Sequence, residues 1–190
     1  LAQPLSNGYE TLDVDLIDHH PHQGFLASVQ SPARYAGPEF GVAPRVDGAD
    51  VSVVLAFPDV YEVGCSHLGL TVLSRLLQGL DRVRVERAFA PWPDYARALT
   101  HRGLPLCSRE TATPLSQFDI AGFSLQHELT YTTVLWMLDL ASIPLRTGAR
   151  TERHPLVIAG GPGATNPEPL ADFVDVFAPG MDKPVRIELF

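Results

Sequence analysis

The sequence predicts an α/β fold, a five-stranded parallel sheet with helices between its strands. Three observations predict it. From residue 50 onward, short apolar runs alternate with helix-length segments of 3.6-residue periodicity. The runs at 51–57, 119–125 and 155–159 are nearly apolar throughout, as in strands covered on both faces. Polar or glycine-rich loops follow these runs, where parallel sheets bind their ligands.

Residues 1–49 carry little periodicity and hold Pro4, Pro21, Pro32, Pro38 and Pro44. They read as an N-terminal arm packed against another surface, with a short helix around Thr11–Ile17. The cluster His19-His20-Pro21-His22 has no carboxylate or cysteine at ligand spacing and reads as a solvated loop. Val51–Phe57 is the first strand, and the loop Asp59-Val60-Tyr61-Glu62-Val63-Gly64 follows it. A helix from Ser66 to Leu80 puts Leu68, Val72, Leu73, Leu76, Leu77 and Leu80 on one face and stops near Gly79. Val83-Arg84-Val85-Glu86-Arg87 alternates apolar and charged, the pattern of an edge strand with one wet face. Pro93–Arg102 is a short helix, opened by Pro91 and Pro93 and closed at Gly103.

Residues 105–118 form a longer connection, with a short extra strand at Leu104–Cys107. Asp119–Leu125 is the third strand. Leu129–Ala141 is an apolar helix that ends before Pro144. Pro155–Ala159 is the fourth strand, followed by Gly160-Gly161-Pro162-Gly163. A helical turn at Glu168–Phe173 leads to the last strand, Val174–Ala178. Right-handed crossovers join such strands in parallel. The amphipathic second strand and the last, with Asp175, suit the edges. The spatial order is then 2-1-3-4-5, a flavodoxin-like (Rossmann-like) sheet whose switch point lies between strands one and three.

The composition narrows the function. At 190 residues, 45% hydrophobic and 19% charged, the chain can bury a full core. A net charge of −8 argues against a broad nucleic-acid surface, although Arg82, Arg84 and Arg87 lie close together in sequence. The two cysteines, Cys65 and Cys107, make no zinc or iron–sulfur pattern. No apolar run is long enough to span a membrane and no signal peptide opens the chain, so a cytoplasmic protein is expected.

Fold alone does not choose among functions. A receiver-type domain would carry an acceptor aspartate where Ser124 stands. A flavin mononucleotide site would want a phosphate-binding loop after strand one, but Asp59 and Glu62 would repel phosphate there. Gly160–Gly163 does not match the dinucleotide fingerprint, and no P-loop or nucleophile elbow is present.

Three loops in chain order resemble those of cobalamin-binding domains. Asp59–Gly64 reads D-x-Y-x-x-G, one residue from the D-x-H-x-x-G loop that supplies an axial histidine to cobalt. Ser124-Leu125-Gln126 matches an S-x-L loop against the buried nucleotide tail. Gly160-Gly161 matches the paired glycines that let the tail pass close to the backbone. A closer resemblance covers nearly the whole chain. It is carried by Ser31–Tyr35, Ala56–Gly64, Ser66–Gly69, Phe89–Asp94, Gly122–Gln126, Glu128–Thr132, Ala159–Pro162 and Asn166–Pro169. Together these resemble the N-terminal region of a radical S-adenosylmethionine family with a B12-binding-like domain.

The resemblance implies cobalamin as a cofactor, contacted by Asp59, Tyr61, Glu62, Gly64, Ser124, Gln126, His127, Gly160 and Gly161. Tyr61 stands where the axial histidine would be, which excludes ligation through that position. The resemblance also implies a radical domain after this one, holding a 4Fe-4S cluster and S-adenosylmethionine that this chain does not bind. The tail 181–190 departs from the family's acidic stretch, so the chain reads as altered or truncated before that domain. The expected organisation is an arm at 1–49, a B12-binding-like α/β domain at 50–180 and an atypical tail at 181–190. The expected role is an accessory domain, not catalytic alone, whose partner is its own radical domain. The alternative is a scaffold of the same fold that binds no corrinoid and docks on that domain or on a macromolecular substrate.

Each site residue also has a plainer reading. Tyr61 and Trp92 suit core or rim aromatics, Asp59 a loop-fixing carboxylate and His67 a surface or capping residue. Gly160 and Gly161 suit a tight turn.

Overall fold

The computed structural model describes residues 20–35, 37 and 48–179. The expected helix at Thr11–Ile17 and the tail 181–190 lie outside the described residues. Five parallel strands form one sheet in the order β2-β1-β3-β4-β5, as the sequence predicts. They are β1 (Val51–Phe57), β2 (Val83–Phe89), β3 (Ile120–Ser124), β4 (Leu156–Gly161) and β5 (Val176–Pro179). The helices are α1 (Gln23–Leu26), α2 (Tyr61–Gly64), α3 (Leu68–Gln78), α4 (Pro93–Arg102) and α5 (Tyr131–Leu140), with short 3-10 turns between them. The last strand starts two residues later than the apolar pattern suggests; Asp175 just before it donates its N–H to the Val157 carbonyl at 2.9 Å and accepts from Val157 N and Arg150 through its carboxylate. The extra strand expected at Leu104–Cys107 shrinks to one antiparallel bridge, Cys107 with Pro114.

The two faces of the sheet differ. Val54, Ala56, Ala121, Phe123, Val157 and Ala159 point to one face and join α4, α5 and the arm in the larger core. Val53, Leu55 and Phe57 point to the other face, where α3 packs through Leu70 over β1 and β2. Beyond β1 that second face is thinly covered by the described residues. Burial alternates along β3 and β4, with Ile120, Gly122, Ser124, Ile158 and Gly160 only half-buried.

Three expectations are corrected here. The leucine face of α3 is not its buried face: Leu70 and Ser74 are buried, whereas Leu68 is 75% and Leu76 65% exposed. Periodicity reports an apolar stripe but not which partner covers it. The wet face of β2 is dry as well. Glu86 and Arg87 are buried because the 103–118 connection wraps the strand's edge. Ser108 Oγ donates to Glu86 at 2.6 Å, Thr111 Oγ1 donates to it at 2.9 Å, and Arg87 pairs with Glu110 at 2.7 Å. Burial pushes the Glu110 carboxyl above its usual range, against the opposing pull of Arg87. The candidate basic patch is thereby broken up: Arg84 and Arg87 turn to buried carboxylates, and Arg82 pairs with Asp50 at the surface.

The histidine cluster is the third correction. His20 and His22 are buried, not solvated, and fasten the arm to the domain. His22 Nδ1 lies 2.6 Å from Tyr95 Oη, and its Nε2 lies 3.8 Å from Cys107 Sγ. Nδ1 of His20 accepts the His22 N–H at 3.0 Å. Further along the arm, Phe25 and Leu26 enter the core, and Tyr35 stacks on Tyr95 at 3.8 Å between centroids. Burial and the neighbouring His20 hold His22 down from the ordinary 6.5 to about 4. His20 is lowered too, by burial. The unfolded chain therefore binds protons that the folded chain refuses, so stability falls as pH drops from about 6.5 toward 4. The melting temperature should fall by several degrees between pH 7.5 and pH 5, roughly 3–8 °C for a domain of this size. A flat profile over that range would contradict the buried, neutral arrangement.

Candidate functional site

Parallel pairing brings the ends of β1, β3 and β4 to one edge of the sheet, so all nine candidate residues lie at or just beyond that edge. Eight of them separate into two groups there, and His127 joins neither. Ser124, Gln126, Gly160 and Gly161 border a cavity of about 500 Å³ between α3 and the thinly covered face. Its walls are apolar: Val53 and Leu55 from β1, Leu70, Leu73 and Leu77 from α3, and Ile120 and Ile158 from the floor strands. Gln126 Nε2 donates to Ser124 Oγ at 2.9 Å, which fixes both side chains at the mouth. Phe123 and Leu125 do not fill the space, because their side chains belong to the core on the opposite face.

The second group sits over the β1–β2 side. Asp59 caps nothing. Its Oδ1 accepts the Val60 N–H at 2.7 Å, and its carbonyl accepts from Ala90, which shapes the turn into α2. Tyr61 packs edge-on to Phe89 at 5.4 Å, and the Arg109 guanidinium lies 4.7 Å from its ring. It borders a small cleft of about 20 Å³ together with Arg34, Trp92 and Cys107. Glu62 pairs with Arg34 at 2.5 Å, and Arg34 also lies over the Trp92 ring at 4.4 Å. A Cβ on Gly64 would strike the Phe89 ring at 2.4 Å, so close packing explains that glycine. His127 is exposed and borders neither space.

Two residues outside the nine candidates complete the cavity. His67 stands at its mouth, and Gly122 lies in its floor. A glycine inside an apolar strand run marks a close approach, and Gly122 was legible on that ground. His67 was read from the sequence as a surface or capping residue, and it does cap α3, its Nδ1 accepting the Leu70 N–H. Burial drives the Cys107 thiol up to about 12, so it is not a nucleophile at neutral pH. Cys65 and Cys107 are both free thiols. Among the described residues no group of three or more His, Cys, Asp or Glu side chains forms a metal site, and no helix is long and apolar enough to cross a membrane.

A family model described as radical SAM proteins, N-terminal, matches residues 69–189. The chain belongs to that family of N-terminal domains. The match runs from the first turn of α3 through β5 and so includes most of the cavity's lining. Among curated proteins no relative matches the chain.

Proposed function

We propose that this radical SAM N-terminal domain serves as the accessory domain of its enzyme, and that its cavity receives the nucleotide arm of a corrinoid. One observation carries the reading. An apolar space of about 500 Å³ opens beside Ser124 and Gly160, at the switch point, with no large side chain of the described residues in it. The donor set fits such an arm. Val53, Leu55, Leu70 and Leu73 offer apolar walls to a flat base, and His67, Ser124 and Gln126 offer polar groups at the mouth. The floor stays low because Gly122 and Gly160 carry no side chain; a Cβ on Gly160 would come within 3.3 Å of the Ala178 carbonyl.

A corrinoid bound here would supply a cobalt centre for radical or alkyl-transfer chemistry. Tyr61 is no source of an axial nitrogen, since it offers a phenol and packs on Phe89. The enzyme's iron–sulfur cluster and S-adenosylmethionine belong to the radical domain, because the two cysteines of this chain cannot hold a cluster.

The ridge on α3 favours a second reading. Leu68, Val72 and Leu76 line its outer side and suit burial against the radical domain or a macromolecular substrate. The two readings part on one titration. Hydroxocobalamin should co-elute with the chain on gel filtration at one equivalent, with micromolar or better affinity. Cobinamide, which lacks the nucleotide arm, should bind about tenfold or more weakly, the loss of ~1.4 kcal/mol of burial. No retention of either corrinoid would leave the scaffold reading standing alone.

A further inference from the structure

We infer that His67 is the hydrogen-bond donor at the cavity mouth, a recognition residue for an oxygen acceptor on the ligand's sugar–phosphate arm and not a ligand to cobalt. The inference rests on the corrinoid-arm reading for the identity of the ligand, but its chemical basis is independent of it.

The argument is one of tautomers. His67 precedes the first turn of α3, and its Nδ1 accepts the Leu70 N–H at 3.1 Å. A backbone N–H can only donate, so Nδ1 must present its lone pair there. In a neutral imidazole the proton then sits on Nε2. That remaining nitrogen is a donor, with no lone pair to offer a metal. For His67 to ligate cobalt through Nε2, the proton would have to move to Nδ1. The cap would break, and the N–H of Leu70, a residue only 2% exposed, would lose its partner.

The ring is held from two further sides. It lies against Phe57, with centroids 4.9 Å apart. A Cβ on Gly69 would come within 2.9 Å of its Cε1, so the glycine leaves the room the imidazole needs. The same ring borders the cavity with Ser124 and Gln126, above walls that are otherwise apolar. A base seated among those walls asks for no partner at the mouth. The sugar and phosphate that follow it carry acceptor oxygens, and an N–H donor at the mouth matches them.

Two variants separate recognition from capping. His67→Asp keeps a capping acceptor but has no donor, while His67→Asn keeps a capping acceptor and an amide donor. Hydroxocobalamin and dicyanocobinamide are titrated against the full chain and both variants, with melting temperatures measured alongside. His67→Asp should bind hydroxocobalamin about tenfold or more weakly, His67→Asn within about threefold of the parent, and neither should change cobinamide binding. Equal losses for both corrinoids, or losses that track melting temperature, would overturn recognition in favour of capping alone. The cob(II)alamin complex should show no nitrogen superhyperfine splitting from His67. A splitting in the parent that both variants abolish would make the residue a ligand and overturn the inference. Nitrogen-15 spectra of labelled histidine, recorded without any corrinoid, should give His67 the Nε2–H tautomer, and the Nδ1–H tautomer would overturn the donor assignment. If the parent binds neither corrinoid, the corrinoid-arm reading and the selection for its arm fall together, while the tautomer measurement still decides what His67 presents to the cavity.

Discussion

Replacing Gly161 with alanine is expected to cost about 3–5 kcal/mol of stability, close to the whole margin of many domains. Gly161 sits at φ 97°, ψ −178°, a region that side-chain-bearing residues hardly enter. The space is closed as well. A Cβ there would stand 2.6 Å from the Leu125 carbonyl oxygen, which is backbone and cannot swing aside. That segment is pinned, since Leu125 donates to the Gly160 carbonyl at 2.7 Å and accepts from Gly163 at 3.0 Å. Relief of the clash would therefore part the loops that follow β3 and β4, and with them the cavity's edge. Gly148→Ala is the control, because a Cβ there meets nothing within 4 Å. Denaturant unfolding should separate the two variants widely, and equal midpoints would refute the account.

Glu86→Ala should be nearly as damaging, at about 3–5 kcal/mol. Glu86 is 3% exposed and accepts from Ser108 Oγ, Thr111 N and Thr111 Oγ1. Alanine would leave the buried Ser108 hydroxyl without this acceptor, release Thr111 from the strand, and remove the partner of Arg84. The damage should spread to the 103–118 connection, which Glu86 ties to the edge of the sheet. Glu86→Gln, which keeps one acceptor oxygen, should lose clearly less in the same unfolding measurement. A Glu86→Ala chain with the parent's midpoint would mean that the buried network contributes nothing.

That network also shows where the sequence stops being readable. Strand order was legible because it depends on local composition: β1, β3 and β4 are apolar, and β2 alternates. The dryness of β2 was not, since Ser108, Glu110 and Thr111 stand 22 to 25 positions from their strand partners in a segment without periodicity. The burial of His22 depends on Tyr95, 73 positions away. The loops at Asp59, Ser124 and Gly160 could be located from strand ends alone. Their division between a wide cavity and a small cleft could not, because it depends on which way Tyr61 and Phe123 turn. The stripe on α3 was visible as a stripe, but burial of a helix is set by its neighbours and not by its own pattern.

The bare half of the sheet has a thermodynamic consequence. Backbone pairing protects the amides of β3 and β4 as in any interior strand, yet Ile120, Ile158 and the outer side of α3 remain wet in the native state. Unfolding of the described domain therefore releases less new apolar surface than a sheet covered on both faces would. The heat-capacity increment and the denaturant slope both scale with that released surface, so both should fall below those of a domain whose sheet is covered on both faces. Whatever covers the face would restore the missing part of each. Calorimetry would register the cover's arrival as a negative heat-capacity change on binding, even where no backbone moves.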